Sequence, residues 1–403
     1  MSSTGARRWN IAETHYVVKR KTKMGDKFVN NYQLLHTLGH GRFGKVKLCE
    51  RLSNRETPSS TCTNDVENAA SVDTNDNGDA AITPLVPPVL SSPKARLFAM
   101  KILSKKMLHR LKDYRTEPAV NQLGEERDDN TDEDAAPMMM RAVTAMDRVH
   151  EEIEIMRSLY HRNVVLLFEV IKADDNDKVY LVLEYMACGP CMVFRPDTKD
   201  FYSRVTGGTL PEELARRYLS DILLGLQYLH QRRICHRDIK PDNVLLNDAG
   251  HCQITDFGCA KAFGDVTEDG GVTGATHANA EPVLLSDTVG TYQFSAPECC
   301  SGEPYDPFKA DIWAVGVVFY IFLFGSLPFS SESTQELFNE ILRAEIILPG
   351  PEESGREIPL CPEGQDLLLR LLEKSPEQRI TIADALSHPW LVQDEDVDEP
   401  LSF

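Results

Sequence analysis

The chain lacks any apolar run long enough to cross a bilayer: the longest, residues 312–325, falls short of the roughly 20 residues a spanning helix needs. Its first ten residues carry Arg7 and Arg8 but no apolar core, so they do not read as a secretory signal. Ser2 stands where N-myristoylation requires glycine. Positive charge is scarce. Against 62 Asp and Glu there are 43 Lys and Arg, a formal charge of −19, which argues against nucleic acid or an anionic membrane as the main partner. These absences lead to the expectation of a soluble cytoplasmic protein, with nuclear access left open. Its ten cysteines should then be largely reduced.

At 403 residues the chain can build one large domain or two ordinary ones. Much of its acid lies in short runs, residues 128–134, 265–269 and 394–399, which read as solvated loops. Cys188-Gly189-Pro190-Cys191 copies the tetrapeptide of dithiol oxidoreductases, whose first thiol works at a helix N-terminus. Here it follows a strand-like run, residues 179–185, so a redox enzyme is set aside and a regulatory disulfide is kept as an alternative.

The chemistry concentrates in His236-Arg237-Asp238-Ile239-Lys240-Pro241-Asp242-Asn243, followed by Asp256-Phe257-Gly258. A proton acceptor, a cation and a neutral oxygen ligand stand within one tight loop. Phosphoryl transfer needs just this: an attacking hydroxyl held in line, charge neutralised on phosphate oxygens, and metal ions held between phosphates. Asp238 can take the hydroxyl proton, Lys240 can face the transferring group, and Asn243 with Asp256 can hold Mg²⁺ through hard oxygens. A polar surface turn is the bland reading, and the joint spacing of the two motifs disfavours it.

Taken in order, residues 1–31 are a polar, net basic extension, with a first strand-like stretch over 28–35. Leu38-Gly39-His40-Gly41-Arg42-Phe43-Gly44-Lys45-Val46 lies between two short strand-like runs. Glycines there let a hairpin bring backbone amides close to phosphates. Residues 51–96 turn to Ser, Thr, Asn, Asp and Pro and read as a disordered insertion. In the strand that follows, alternation puts Ala99 and Lys101 on one face. A second disordered insertion, residues 112–145, is acidic and ends in three methionines. Residues 146–160 then have helical spacing, with Val149, Ile153, Met156 and Tyr160 aligned. Strands over 164–170 and 178–184 complete a five-stranded sheet with one helix. Beyond them the pattern is helical: residues 211–232 bury Leu214, Tyr218, Ile222, Gly225, Leu226 and Leu229, residues 244–246 and 252–254 brace Asn243 and Asp256, and Asp311 opens a buried helix.

From residue 32 to 391 these landmarks resemble the eukaryotic protein kinases in order. The resemblance implies an α+β, bilobal protein kinase fold. Its small, mainly antiparallel β-sheet lobe with one principal helix is residues 32–184. Its larger, mainly helical lobe is residues 185–391, with an activation segment over 256–298 and an acidic tail over 392–403. It also implies ATP and Mg²⁺ as cofactors, with the metal on Asn243 and Asp256. Catalytic roles fall to Asp238, Lys240, Asn243, Lys101, Thr291 and Glu152, the last chosen over Glu151 and Glu154 by the apolar pair Ile155-Met156. Nucleotide contacts fall to Leu38, Gly39, Gly41, Gly44, Val46, Ala99, Lys101, Leu183, Glu184, Met186, Leu245 and Asp256. Glu298 and Arg379 match the family's ion pair, and residues 386–391 match its last helix.

Lys240, two after Asp238, is similar to the serine/threonine subgroup. Three further stretches resemble the calcium/calmodulin-dependent protein kinase kinases and their fungal and plant relatives, which activate kinases of the AMP-activated type. They are Lys101-Ile102-Leu103-Ser104-Lys105-Lys106-Met107-Leu108 before the second insertion, Cys188-Gly189-Pro190, and Leu285-Ser286-Asp287-Thr288-Val289-Gly290-Thr291. The acidic second insertion departs from the arginine- and proline-rich one of the calmodulin-regulated members. Residues 392–403 carry no basic amphipathic helix for calmodulin. Asp287 stands four before Thr291, where many kinases carry a phosphorylated residue facing the arginine before the catalytic aspartate. The expectation is therefore a monomeric, calmodulin-independent serine/threonine kinase with another kinase as protein substrate, basally active through Asp287 and Arg237, with Ser286 and Thr288 as alternative phosphate acceptors. A general calmodulin-kinase-like enzyme and a pseudokinase scaffold are the alternatives.

Overall fold

The computed structural model describes residues 11–41, 43–52, 97–118, 138–266, 272–273, 283–350 and 360–392. The irregular chain expected over 53–96, 119–137 and 393–403, and most of 264–282, lies outside the described residues. The contacts divide the chain into two compact units, Met1–Ser104 with Leu167–Tyr185, and Lys105–Leu166 with Met186–Phe403.

The first unit is one sheet of eight strands rather than the expected five. They are β1 (Ala12–Thr14), β2 (Lys19–Lys21), β3 (Lys27–Val29), β4 (Tyr32–Gly41), β5 (Gly44–Arg51), β6 (Leu97–Ser104), β9 (Leu167–Lys172) and β10 (Lys178–Glu184), with β7 and β8 lying in the second unit and described below. The order is β1-β9-β10-β6-β5-β4-β3-β2. Alternation works as the sequence implied. Phe98, Met100 and Ile102 point into a core with Val29, Tyr32, Cys49, Ile171, Tyr180 and Val182, and Ala99 and Lys101 take the other face of β6.

The three added strands come from the polar extension, which occupies both edges of the sheet. β1 pairs in parallel with β9, and β2 pairs through β3 with β4. Four residues separate β1 from β2, so the sheet curls until its edges lie within about 18 Å. Glu169, buried on β9, ties β1 to β4 across the curl: one carboxylate oxygen accepts from Thr14 Oγ at 2.5 Å, the other from Tyr32 OH at 2.7 Å. Residues 12–29 of the extension are therefore part of the folded unit.

In the second unit the insertion expected to be irregular begins and ends as paired strands, β7 (Lys112–Pro118) antiparallel to β8 (Met138–Thr144). Between β6 and β7 comes α1 (Lys105–Arg110). After β8, Thr144 caps α2 (Ala145–Arg157) with a reciprocal bond pair to Asp147. Because α2 stops at Arg157, Tyr160 leaves the helical face predicted for it and is exposed, its N–H donating to Tyr228 OH at 2.7 Å. The principal helix, expected with the sheet, belongs by its contacts to this second unit, where it packs on the turn Phe257–Cys259.

The rest is mainly helical, with short strand pairs between: α3 (Glu212–Gln231), α4 (Pro297–Cys300), α5 (Pro307–Phe324) and α6 (Thr334–Arg343) are followed by Pro362–Leu371 and Ile382–Leu386. Along α3, Tyr218, Ile222, Gly225, Leu226 and Leu229 are buried and Leu214 half-buried, close to expectation. The final helix is Ile382–Leu386, ending where residues 386–391 were expected to form it. Contrary to the expectation from the sequence, α5 is by length and composition apolar enough to cross a membrane, because the helix begins before the apolar run; most of it is buried in the unit's core. Cys188 and Cys191 are free thiols. Cys191 is buried, and burial pushes its thiol up, the opposite of what a reactive thiolate needs.

Candidate active site

The loop at residues 236–243 is held from beneath by Asp311, in the second turn of α5. One oxygen of its carboxylate accepts from the His236 N–H and the other from the Arg237 N–H, both at 2.8 Å. Burial pushes against the Asp311 charge, yet His230, 3.0 Å away, and the His236 contact hold the carboxyl below the usual range. These bonds sustain a left-handed Arg237, φ 67°, a conformation that costs a non-glycine residue about 1 kcal/mol or more. His236 links this loop to the next segment. Its Nδ1 accepts from the Asp238 N–H at 3.3 Å, its Nε2 faces the Thr255 carbonyl at 3.0 Å, and its ring meets Phe257 edge-on.

Above this support, four side chains close on one another. Asp238 Oδ2 accepts from Lys240 Nζ at 2.8 Å and from Asn243 Nδ2 at 3.0 Å. Asp238 Oδ1 accepts from the Thr291 N–H at 3.0 Å and from Thr291 Oγ at 2.9 Å. Lys240 Nζ also donates to Thr291 Oγ, at 2.7 Å. Gly290 makes the approach possible: at φ 96°, a Cβ there would lie 2.5 Å from the Arg237 carbonyl oxygen. Any side chain at 290 would lift Thr291 off Asp238.

The strands Val244–Leu246 and Cys252–Ile254 pair with Val244 opposite Ile254, and the Thr255 N–H continues the ladder to the Asn243 carbonyl at 2.9 Å. Asp256 therefore follows directly on the residue bonded to Asn243. It is exposed and left-handed, φ 61°. On its far side, Glu152 of α2 is buried, and a Cβ built on Gly258 would have Asp256 Oδ1 at 3.5 Å and Glu152 Oε2 at 3.9 Å. Cys259 completes this corner; burial, with Asp238 and Asp256 beside it, pushes its thiol up to about 11. Arg237 Nη2 reaches Asp287, at 2.7 Å to the carboxylate and 3.1 Å to the carbonyl. Glu298 and Arg379 form a two-pronged pair at 2.6 and 2.9 Å.

Geometry of this kind, a carboxylate fixed by a lysine, an amide and a hydroxyl with a second carboxylate alongside, can be compared with known proteins. The protein kinase domain family matches residues 127–391. The chain belongs to the protein kinase family. Among relatives, it is 32% identical to the serine/threonine-protein kinase TOS3 of Saccharomyces cerevisiae over 373 residues, 90% of this chain and 53% of that protein. It is 32% identical to the serine/threonine-protein kinase ssp1 of Schizosaccharomyces pombe, over 94% of this chain and 45% of that one. It is 30% identical to the serine/threonine-protein kinase GRIK2 of Arabidopsis thaliana, over 95% of this chain and 70% of that one. The chain spans about half the length of the first of these. The kinase fold is α+β, as expected, with an antiparallel-rich sheet in one unit and helices in the other.

The residues fit the cofactors that the family implies. Asn243 spends its amide nitrogen on the Asp238 carbonyl and carboxylate, which leaves its amide oxygen as the atom that would hold a metal. No group of three or more His, Cys, Asp or Glu placed to hold a metal ion forms among the described residues. Two oxygen donors suit Mg²⁺, which takes its other ligands from phosphate and water. In the first unit, Gly44 is fixed by the fold, since a Cβ would lie 1.9 Å from the Ile102 carbonyl oxygen. A Cβ on Gly39 or Gly41 would meet nothing within 4 Å, leaving that stretch of backbone open to a ligand.

The remaining predicted contacts are placed as follows. Leu38 is exposed on β4, Val46 half-buried on β5, and Lys101 sits opposite both Val46 and Leu181. Leu183 and Glu184 end β10, opposite Ala99 and Phe98. In the second unit Met186 is buried and Leu245 half-buried, facing away from the core side taken by Val244 and Leu246. Two participants were not identified in the sequence: Tyr305, whose hydroxyl donates to the Asp287 carbonyl at 2.9 Å, and His230 beneath Asp311. Both act through contacts distant in sequence, and no local pattern signals them.

Proposed function

We propose that this chain is an ATP- and Mg²⁺-dependent serine/threonine protein kinase that phosphorylates the activation loop of other kinases, of the AMP-activated type. The observation that carries the catalytic part is the Asp238 carboxylate, fixed at once by Lys240, Asn243 and Thr291. Bound ATP supplies the γ-phosphoryl group. Asp238 orients the substrate hydroxyl and accepts its proton, and Lys240 neutralises charge on the transferring group. Asn243 and Asp256 present oxygen to the metal, and Lys101 and Glu152 serve the nucleotide phosphates. Thr291 seats the incoming residue beside Asp238.

The narrower reading rests on the kinase-kinase motifs at residues 101–108, 188–190 and 285–291, and on relatives that come from two fungi and a plant. The Arg237–Asp287 contact supports basal activity without activation-loop phosphorylation. We place the enzyme in the cytoplasm, as a monomer acting without calcium or calmodulin. Purified chain, offered kinase-inactive AMP-activated-type domains and generic basic peptides, tests this. Preference for the kinase domains supports the proposal. Equal or better use of peptides favours a general calmodulin-kinase-like enzyme, and a calmodulin-dependent rise in rate removes the calcium-independent part.

A further inference from the structure

The segment that delivers Thr291 to Asp238 is tied down at a second point, four residues earlier. There the Asp287 carbonyl oxygen accepts two bonds, one from Arg237 Nη2 at 3.1 Å and one from Tyr305 OH at 2.9 Å. Leu285 and Tyr305 exchange both backbone bonds, at 2.9 Å each, which sets the tyrosine ring under residue 287. Tyr305 is buried and Arg237 nearly so, while the Asp287 side chain is 51% exposed. A half-exposed carboxylate with one arginine contact is a weak anchor by itself. The backbone bond from a buried hydroxyl holds residue 287 where that carboxylate reaches the arginine.

We propose that Tyr305 is a positioning residue for catalysis: its hydroxyl fixes the Asp287 backbone, which keeps Arg237, the neighbour of Asp238, paired. The inference rests on the kinase reading above and adds a residue that this reading does not need. The charged and titratable groups facing Asp287 are Arg237, Lys261 and Tyr305. Burial raises the Asp287 carboxyl, and Arg237 with Lys261 more than reverses it. A depressed carboxyl keeps its pairing above the ordinary carboxylate range and loses it as pH falls through the lowered value.

The test compares wild type, Tyr305→Phe, Asp287→Asn and the double variant, with a peptide substrate and ATP, from about pH 2.5 to pH 8, a range that reaches below the ordinary carboxylate value. Tyr305→Phe keeps the ring, and a melting curve checks the fold. The expected result is a kcat about fivefold lower with the KM for ATP unchanged, since one hydrogen bond is lost. The acid limb of the rate profile should also move to higher pH in Tyr305→Phe, and this move should vanish in the Asp287→Asn background. A Tyr305→Phe enzyme with wild-type kcat and acid limb overturns the proposal, and so does a shift that persists without the Asp287 carboxylate. Wild-type protein that transfers no phosphate would instead overturn the kinase reading, so the two failures are distinct.

Discussion

Two arginine–carboxylate pairs hold the segment between Asp256 and α4, and they differ in kind. Arg379 and Glu298 meet through two parallel bonds, with side chains 0% and 11% exposed, and Arg379 is further bonded to the carbonyls of Glu373 and Lys309. Arg237 and Asp287 meet through one arginine nitrogen, with side chains 6% and 51% exposed, and Arg237 Nε has no hydrogen-bond partner among the described residues. The first pair is enclosed and saturated, so losing either partner strands a buried charge. The second leaves its acid in water and its base with spare capacity. One is built to stay, the other to be adjusted.

Glu298→Ala should therefore do the most damage, lowering stability by about 3–5 kcal/mol by leaving Arg379 buried and unpaired. Denaturant unfolding measures this, and a loss under 1 kcal/mol would erase the contrast. Asp287→Asn should leave the unfolding midpoint almost unmoved while reducing kcat about tenfold, the scale of one charge-assisted hydrogen bond. If it instead unfolds the protein, the second pair is as structural as the first. The smallest effect is in pH. The Asp287 carboxyl is depressed, so its pairing is complete near neutrality and fades in acid. The rate difference between wild type and Asp287→Asn should shrink as pH falls below about 4, the ordinary carboxylate value.

Both pairs were legible in the sequence because motifs fix their positions, as was the inward face of β6, whereas Asp311, expected to open its helix, lies one turn inside it and under residues 236–237. Their difference in burial was not, since exposure depends on which distant segment covers each side chain. The same limit hid the closure of the sheet. β1 and β2 are three residues each and polar, so they show no alternation, and their partners lie in β9 and β3. Glu169 reads as an ordinary strand residue until Thr14 and Tyr32, 155 and 137 positions away, bring their hydroxyls to it. Among the glycines, spacing alone treats Gly39, Gly41 and Gly44 alike; only packing separates the one the fold requires from the two it leaves open.

The central claim is that Asp238, with no phosphate on the segment at residues 256–298, already stands ready to accept a proton from a protein hydroxyl. Initial rates of labelled-phosphate transfer by phosphatase-treated chain and its Asp238→Asn variant test it most directly. The account predicts ready transfer by the treated wild type and a rate at least about a hundredfold lower for the variant. Treated wild type that is inert until a second kinase acts on it, or an Asp238→Asn variant that retains the wild-type rate, would contradict it.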